Sequence, residues 1–431
     1  MHNFQFSLFY DYYAFVMSSN FYRKYDALFS VLDLTGFPDK NTEVGRTGYS
    51  RHAILRALIV KHLEGIKSIP RLIEFLDAHP MLTEMCGFPM GCLPDESQFY
   101  RFIKEIPNGL IQELHIRTNK ILLEKGIATL ETFITDSKPV KAATRENNHK
   151  NPNRNTTNKN KKPRRNPQAT LHYYSYQKKS DGTKTFEFFW GYRTHVITSV
   201  EGIPLVETTL PNNRTDATVA KTLIKKLKRL YTFKKNARFI ADSAYDERNI
   251  YDLIIDRLKC KAFIPLNPRN TQEPKLFSPR GSPLCDAALE MVFDGAWRED
   301  NRDRIKFRCP LKTKRKHTVN TPETCPVNHY RFTQGAGYGC TKYLDVTDDA
   351  RSRVPRNTAL FKDTYNKRIV VEQYFSRLGE REVEQTTHYK LRSVKNQMSI
   401  AHLSQSLIAL AAVQLQRPEK ISCYRTFAHV S

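Results

Sequence analysis

Apolar residues recur at helical spacing through residues 45–125. In the run Arg51–Leu63, positions 54, 55, 58, 59 and 63 are apolar and fall on one face of a helix. The pattern predicts short helices joined by tight turns. Residues suited to capping a helix N-terminus precede each one: Ser50, Ser68 before a helix over Pro70–Ala78, and Asp95 or Ser97 before a third helix.

Beyond residue 130 the pattern changes to short apolar runs typical of strands. Predicted strands cover 132–136, 186–198, 203–210, 238–242 and 262–265, with predicted helices over 217–231, 247–259 and 399–415. Glu201 and Gly202 predict a hairpin turn. Asp216, at the start of a helix, is interpreted as an N-cap rather than a ligand. This order predicts an α/β (α+β), RNase H-like fold, a mixed sheet flanked by helices.

The order also divides the chain. We predict an N-terminal helical segment over 1–130, the mixed-sheet domain over 131–275 and 350–416, and an inserted subdomain over 276–349. Residues 145–167 carry eight Lys and Arg residues and almost no apolar ones, so they are predicted to be a disordered loop. The loop could neutralise phosphates or be simply solvated.

The net charge of the chain indicates which class of partner it binds. The 431-residue chain has a net charge of +25 and a pI of about 9.7, which favours a polyanion such as nucleic acid over the alternative of a merely basic enzyme. We expect no membrane association, because no long apolar run or basic amphipathic helix is visible. The aromatic N-terminus lacks the features of a signal peptide. A cytoplasmic location on the bacterial nucleoid, with reduced cysteines, is expected.

Three acidic residues stand in contexts that suit phosphoryl transfer. Asp136 and Asp242 each end an apolar strand-like run, and Glu372 closes the pattern Tyr365-x2-Arg368-x3-Glu372. On one helix those last three side chains would fall within about 60° of one another. Carboxylates from two strands and a helix can bridge two Mg²⁺ ions about 4 Å apart.

These motifs resemble the bacterial insertion-sequence DDE transposases of the Tyr-x2-Arg-x3-Glu-x6-Lys signature group. The runs Ala241–Asp246 and Val371–Leu378 are similar to the family's second and third catalytic blocks. The resemblance implies an RNase H-like catalytic domain. In it, Asp136, Asp242 and Glu372 would be the catalytic residues and would hold two Mg²⁺ or Mn²⁺ ions. It also implies DNA strand cleavage and transfer at insertion-sequence ends.

The resemblance further implies a double-stranded DNA partner, as terminal inverted repeats and target DNA, and a homodimer on paired ends. The N-terminal helices would bind the ends, with Arg101 and Lys104 on the third helix as DNA contacts; the alternative is a helical bundle that only supports the catalytic domain. The Arg368 guanidinium is suited to form two parallel hydrogen bonds to a DNA phosphate. Tyr365 could contact a nucleotide at the DNA end. The alternative pairs Arg368 with Glu372 and puts Tyr365 in the core.

One position departs from the signature. Its lysine should stand seven residues after Glu372, where this chain has Gly379. Either Arg377, also predicted to contact DNA, or Arg381 supplies the cation, or this copy is weakened. Two other functions therefore stay open: an RNase H-like nuclease without strand transfer, and a decayed DNA-binding relic.

The inserted subdomain contains the cysteines Cys285, Cys309, Cys325 and Cys340. No Cys-x2-Cys pair, the usual spacing of a structural zinc site, occurs in the chain. We therefore expect scattered buried thiols and no structural zinc.

Overall fold

The first part of the chain is helical, as its apolar spacing predicts. The computed structural model describes residues 14, 16, 18–40, 48–89, 91–148, 162–177, 183–267, 278, 282–299, 302–313, 322–334, 337, 339–345, 350–351, 353–356, 358–381 and 383–429. The helices of the first part are α1 (Asn20–Ser30), α2 (Arg51–Leu63), α3 (Ile69–Asp77), α4 (Pro80–Cys86), α5 (Glu96–Glu105) and α6 (Asn108–Glu124).

Side-chain caps begin three of these helices where the sequence predicts them. Ser50 Oγ accepts the backbone N–H of Ala53 at 3.1 Å at the start of α2. Ser68 caps α3 in the same way. Asp95, rather than Ser97, caps α5, and its Oδ1 accepts the Ser97 N–H at 2.7 Å. Each cap satisfies a backbone donor that the helix itself leaves unpaired.

A mixed sheet forms the centre of the molecule. Its strands are β1 (Thr132–Lys141), β2 (Thr170–Gln177), β3 (Lys184–Ser199), β4 (Pro204–Pro211), β5 (Arg238–Ile240) and β6 (Lys261–Phe263). Their order is β2-β3-β1-β5-β6, and β4 also pairs with β3. The strand β1 is antiparallel to β3 and parallel to β5, and β5 is parallel to β6. The predicted mixed sheet is therefore confirmed.

Helices pack on this sheet through apolar faces. They are α7 (Asp216–Leu230), α8 (Arg248–Tyr251, continued by a π-helical turn over Asp252–Arg257), α10 (Ala359–Asn366), α11 (Ile369–Gly379) and α12 (Leu391–Gln414). Buried residues of α7 and α11, including Leu223, Leu227, Val371 and Leu378, share one core with the strands.

The long helix α12 belongs to two cores. Met398 and Ala401 pack in the core of the sheet, whereas Leu403 and Leu407 pack with the N-terminal helices. Polar contacts add to this link: buried Asn396 donates to the carbonyls of Ile103 and Ile106. The N-terminal helices and the sheet are thus held together through α12.

The segment between the second aspartate and Glu372 forms a separate small sheet. Its strands β7 (Val292–Glu299), β8 (Arg302–Arg308) and β9 (Thr341–Asp345) are antiparallel in the order β7-β8-β9. A short helix, α9 (Tyr330–Thr333), precedes β9. This sheet lies within the range 276–349 predicted as an insertion.

The structure differs from the sequence-based prediction around Tyr365. We predicted one helix through Tyr365, Arg368 and Glu372, but α10 ends at Asn366 and α11 begins at Ile369. Between them the backbone bonds run from residue i to i−3, as from Arg368 N–H to the Tyr365 carbonyl at 2.9 Å. The chain therefore tightens into a short turn of 3₁₀ type that separates the two helices.

Two further predictions need correction. Asp216 is not an N-cap: Thr215 caps α7, and Asp216 is the first helical residue. The disorder predicted for 145–167 does not extend to its ends, because Asn147 bonds to the Ala142 and Trp190 carbonyls and Asn166 is buried. The centre of that loop, residues 149–161, lies outside the described residues.

Candidate active site

The two aspartates are brought together by strand register. In the parallel pair, Ile134 of β1 is opposite Ile240 of β5, so Asp136 and Asp242 each stand two residues beyond a paired isoleucine. Asp136 accepts the Ser137 N–H at 2.8 Å. Asp242 accepts the Ala244 N–H at 2.9 Å and so caps the turn that follows β5. Both side chains end at the same edge of the sheet, where parallel strands commonly present functional residues.

Arg368 joins this edge to Glu372. Its Nη2 lies 3.5 Å from Oδ2 of Asp136, and its Nη1 donates to Oε1 of Glu372. The guanidinium therefore bridges a strand carboxylate and the carboxylate of α11. Pairing of Arg368 with Glu372 was one of the two alternatives considered from the sequence, and it is the arrangement present in this structure.

Burial and mutual repulsion raise the pKa values of the two strand carboxyl groups, Asp136 and Asp242. Desolvation raises the pKa of Asp136 to about 6, and the charges of Asp242 and Asp216 add to the shift, while the Ser137 N–H and Arg368 oppose it. Desolvation also raises the pKa of Asp242. The edge thus carries more negative charge than Arg368 neutralises, an environment that favours a further cation.

Asp216 is a functional candidate that sequence reasoning missed. Its Oδ1 accepts from Ser137 Oγ at 2.7 Å, next to Asp136, and its carboxylate pairs with Arg193 at 3.1 Å. His195 Nδ1 lies 3.6 Å away. Burial lowers the pKa of His195 to about 4, so this imidazole is neutral near pH 7. The available signal was an acidic residue in the first turn of a helix that follows the β3–β4 hairpin.

A second acidic residue, Asp246, holds the chain after Asp242. Its two oxygens each accept from Arg351 at 2.7 Å, and it also accepts from Tyr251 and the Asn267 N–H. These bonds hold the pKa of Asp246 below its usual range against the effect of burial. Asp246 therefore positions the turn that carries Asp242.

Tyr365 is half-buried at the end of α10. Its ring stacks on Phe361 with 5.9 Å between the ring centroids, and it packs against the core of the sheet. Burial raises the pKa of its phenol, with Asp242 and Glu372 adding to the shift. Tyr365 is thus close to the carboxylates while its ring supports α10.

The space beside Gly379 is occupied by another cation. A Cβ at Gly379 would lie 3.1 Å from Nζ of Lys138 and 2.8 Å from Oε1 of Glu384. Lys138 pairs with Glu384 at 2.6 Å and donates to the Phe375 carbonyl of α11 at 3.0 Å. Lys138 follows Asp136 by two residues, so both side chains leave the same face of β1.

The two arginines considered as substitutes for the signature lysine lie elsewhere. Arg377 packs beside Gly202, with 3.4 Å between its Nη2 and an ideal Cβ there. Arg381 lies over the Tyr424 ring, 5.0 Å from its centroid. Burial lowers the pKa of both groups, that of Arg381 to about 10. The charged end of Lys138, 3.1 Å from an ideal Cβ at Gly379, is the cation that lies beside the signature position.

The predicted DNA contacts of the N-terminal segment are on the surface. Arg101 and Lys104 are exposed on α5. Arg101 also lines a cavity of about 520 Å³ together with Tyr49 and Arg51. These cationic side chains remain open to a polyanion.

In the part of the chain that the structure describes, no group of three or more His, Cys, Asp and Glu side chains is arranged to hold a metal ion. Nor, among the described helices, is one long and apolar enough to cross a membrane.

The chain matches two protein-family models. Residues 128–407, more than half of the chain, match the transposase DDE domain. Residues 10–105 match the transposase domain (DUF772). The chain belongs to the insertion-sequence DDE transposases. No curated protein and no solved structure matches it.

Membership of this family confirms the resemblance read from Asp242, Glu372 and their flanking residues. The sheet with β1 and β5 side by side is the RNase H-like fold of such transposases. The enzyme class is that of the DDE transposases, and DNA is the substrate that the family implies.

Proposed function

We propose that this transposase catalyses metal-dependent DNA strand cleavage and transfer at the ends of its insertion sequence. Asp136, Asp242 and Glu372 are the catalytic residues in this proposal. The observation that carries it is their arrangement: Asp136 and Asp242 extend from paired parallel strands, and Arg368 contacts both Asp136 and Glu372. One strand carboxylate and one helix carboxylate thereby share a single positive group, and strand register places Asp242 at the same edge as Asp136.

The donor set fits divalent ions. Hard cations such as Mg²⁺ or Mn²⁺ prefer carboxylate oxygens. Desolvation by burial has raised the pKa of both aspartates, and a cation beside them would favour their charged forms. Arg368 supplies part of the positive charge that the divalent ions would bring to these carboxylates. When bound by Asp136, Asp242 and Glu372, two ions would activate the attacking oxygen and stabilise the leaving one.

The remaining side chains position DNA. Arg368 presents a planar fork that can leave the carboxylates for a DNA phosphate, which it would bind with two hydrogen bonds. Tyr365, one turn earlier, would contact the end nucleotide. Asp246 keeps the Asp242 turn in place through Arg351. Arg377 is half-buried beside Gly202, and its exposed part remains a candidate DNA contact in this proposal.

We further propose that the N-terminal helices bind the terminal inverted repeats, with Arg101 and Lys104 on the exposed face of α5 as phosphate contacts. Target DNA and a second copy of the chain on the paired end complete the assembly. The net charge of +25 favours such a polyanionic complex.

A strand-transfer assay tests the function. Purified protein with Mg²⁺ and DNA that carries the inverted repeats flanking its gene should cleave at the repeat ends and join the 3′ ends to target DNA. DNA with scrambled repeats is the matched control. Cleavage without joined products would identify a nuclease, and binding without cleavage would identify a relic; either result contradicts the proposal.

Lys138 should perform the role of the missing signature lysine. Lys138→Ala is expected to reduce end cleavage by about tenfold or more, because a charge-assisted contact is worth roughly 1.5–3 kcal/mol. Gly379→Lys alone should bring no gain, since the new side chain would crowd Lys138 and Glu384. The double variant should recover activity.

The control is Lys141→Ala. Lys141 lies on the same strand as Lys138 and pairs with Glu187. The test compares the cleavage rates of these four variants and the wild-type protein on the same end DNA. Wild-type cleavage by Lys138→Ala would exclude Lys138 from this role.

A further inference from the structure

Among the described residues of the inserted segment, the apolar core is small. The buried residues of its cluster are Cys285, Met291 and Phe307, and a few half-buried residues pack around them. Fixing the backbone of one residue costs roughly 1–2 kcal/mol. Three small strands with so few buried side chains usually depend on a disulfide or a metal ion.

Four cysteines from separate parts of this segment meet in space. Cys285 lies in the turn before β7, Cys309 follows β8, Cys325 lies in the following loop and Cys340 directly precedes β9. All four line one cavity of about 10 Å³, roughly the space of one water molecule. Cys309 Sγ also lies 3.3 Å from an ideal Cβ at Gly339, the residue before Cys340.

The backbone is built closely around these sulfur atoms. Gly339 has φ +63°, and a Cβ there would come within 2.7 Å of the Cys309 Cβ. Only glycine therefore lets the chain pass Cys309 and present Cys340 to it. The Sγ of Cys325 accepts the His329 N–H at 3.5 Å, a contact that stabilises a thiolate.

The neighbouring histidine is engaged by other groups. His329 Nδ1 accepts the Arg331 N–H at 3.2 Å, and its Nε2 lies 3.6 Å from Asp286. With both ring nitrogens engaged, the four sulfur atoms are the soft donors that line the cavity.

We propose that Cys285, Cys309, Cys325 and Cys340 bind one structural zinc ion as four thiolates. The four side chains, like the other described His, Cys, Asp and Glu residues, are not yet arranged around an ion. On binding, the thiols would lose their protons and close around the zinc, and this rearrangement would order the inserted sheet. Zinc was not expected from the sequence because no Cys-x2-Cys pair is present; here the ligands come from four separate turns. The site is independent of the carboxylate edge and of its Mg²⁺ chemistry.

Zinc content of the full-length protein tests the proposal. Protein purified from zinc-supplemented medium should carry one zinc per chain by mass spectrometry of the metal. Titration with a mercurial reagent should release that zinc as four thiols react, which needs no variant. Replacement by Co²⁺ should give the charge-transfer absorption of thiolate ligands.

Variants then assign the ligands. Cys→Ser at 285, 309, 325 or 340 should each reduce bound zinc several-fold and lower the melting temperature. Cys92→Ser, Cys423→Ser and His329→Ala should keep the full zinc content. Absence of zinc in the wild-type protein, zinc that survives all four single substitutions, or disulfides among these cysteines would each overturn the proposal.

Discussion

Asp136→Asn should abolish end cleavage while DNA binding remains. Asparagine keeps the size of the side chain and can still accept the Ser137 N–H, but it removes one negative charge from the three carboxylates. Loss of a preorganised electrostatic contact of this kind lowers rates by about 10³-fold. Single-turnover cleavage of labelled end DNA measures the effect, and gel-shift titration measures binding.

Asp256→Asn is the matched control. Asp256 is an exposed carboxylate that pairs with Arg353 at 2.7 Å, so its loss should leave cleavage unchanged. If Asp136→Asn cleaved at the wild-type rate, or lost DNA binding together with cleavage, Asp136 could not have the role proposed here.

Divalent cations should stabilise the protein in a pH-dependent way. The folded-state pKa of Asp136 is about 6 against an ordinary value of 3.8. Between these values the unfolded chain has lost this proton and the folded chain retains it, so the free energy of unfolding of the metal-free protein falls as pH rises. A shift of about two pKa units corresponds to about 3 kcal/mol. Asp242 is shifted in the same direction.

Ionised carboxylates bind Mg²⁺ and protonated ones do not. Millimolar MgCl₂ should therefore raise the melting temperature by several degrees at about pH 8 and have little effect at about pH 5. KCl of equal ionic strength is the control for screening. Asp136→Asn should melt higher than wild type at pH 8 without Mg²⁺ and respond less to it. An equal Mg²⁺ response in both proteins would argue against a carboxylate site at this edge.

The predictions that the structure confirms rest on short-range sequence patterns. Caps such as Ser50 and Asp95 act within three residues, so their sequence context suffices. The pairing of β1 with β5 was predictable because the RNase H-like order dictates it. The catalytic roles of Asp136, Asp242 and Glu372 stay predictions, although the register and Arg368 bring their elements together.

Non-local contacts account for what the sequence did not reveal. Lys138 reaches Gly379 only because β1 and α11 pack together, which no spacing in the sequence encodes. Asp216 looked like a helix cap because a carboxylate at a helix start usually is one, but Thr215 already fills that position. The break before Ile369 reflects i to i−3 bonds that helical periodicity does not distinguish.

The position of α12 in both cores bears on how the chain is made. A ribosome synthesises residues 400–412 long after the N-terminal helices, yet these helices pack against Leu403, Leu407 and their neighbours in α12. Part of the apolar surface of those helices therefore stays exposed until α12 has been translated. Contacts between such distant residues form slowly and favour association with chaperones. The N-terminal segment thus acquires its final packing only after Asp136, Asp242 and Glu372 have all been synthesised.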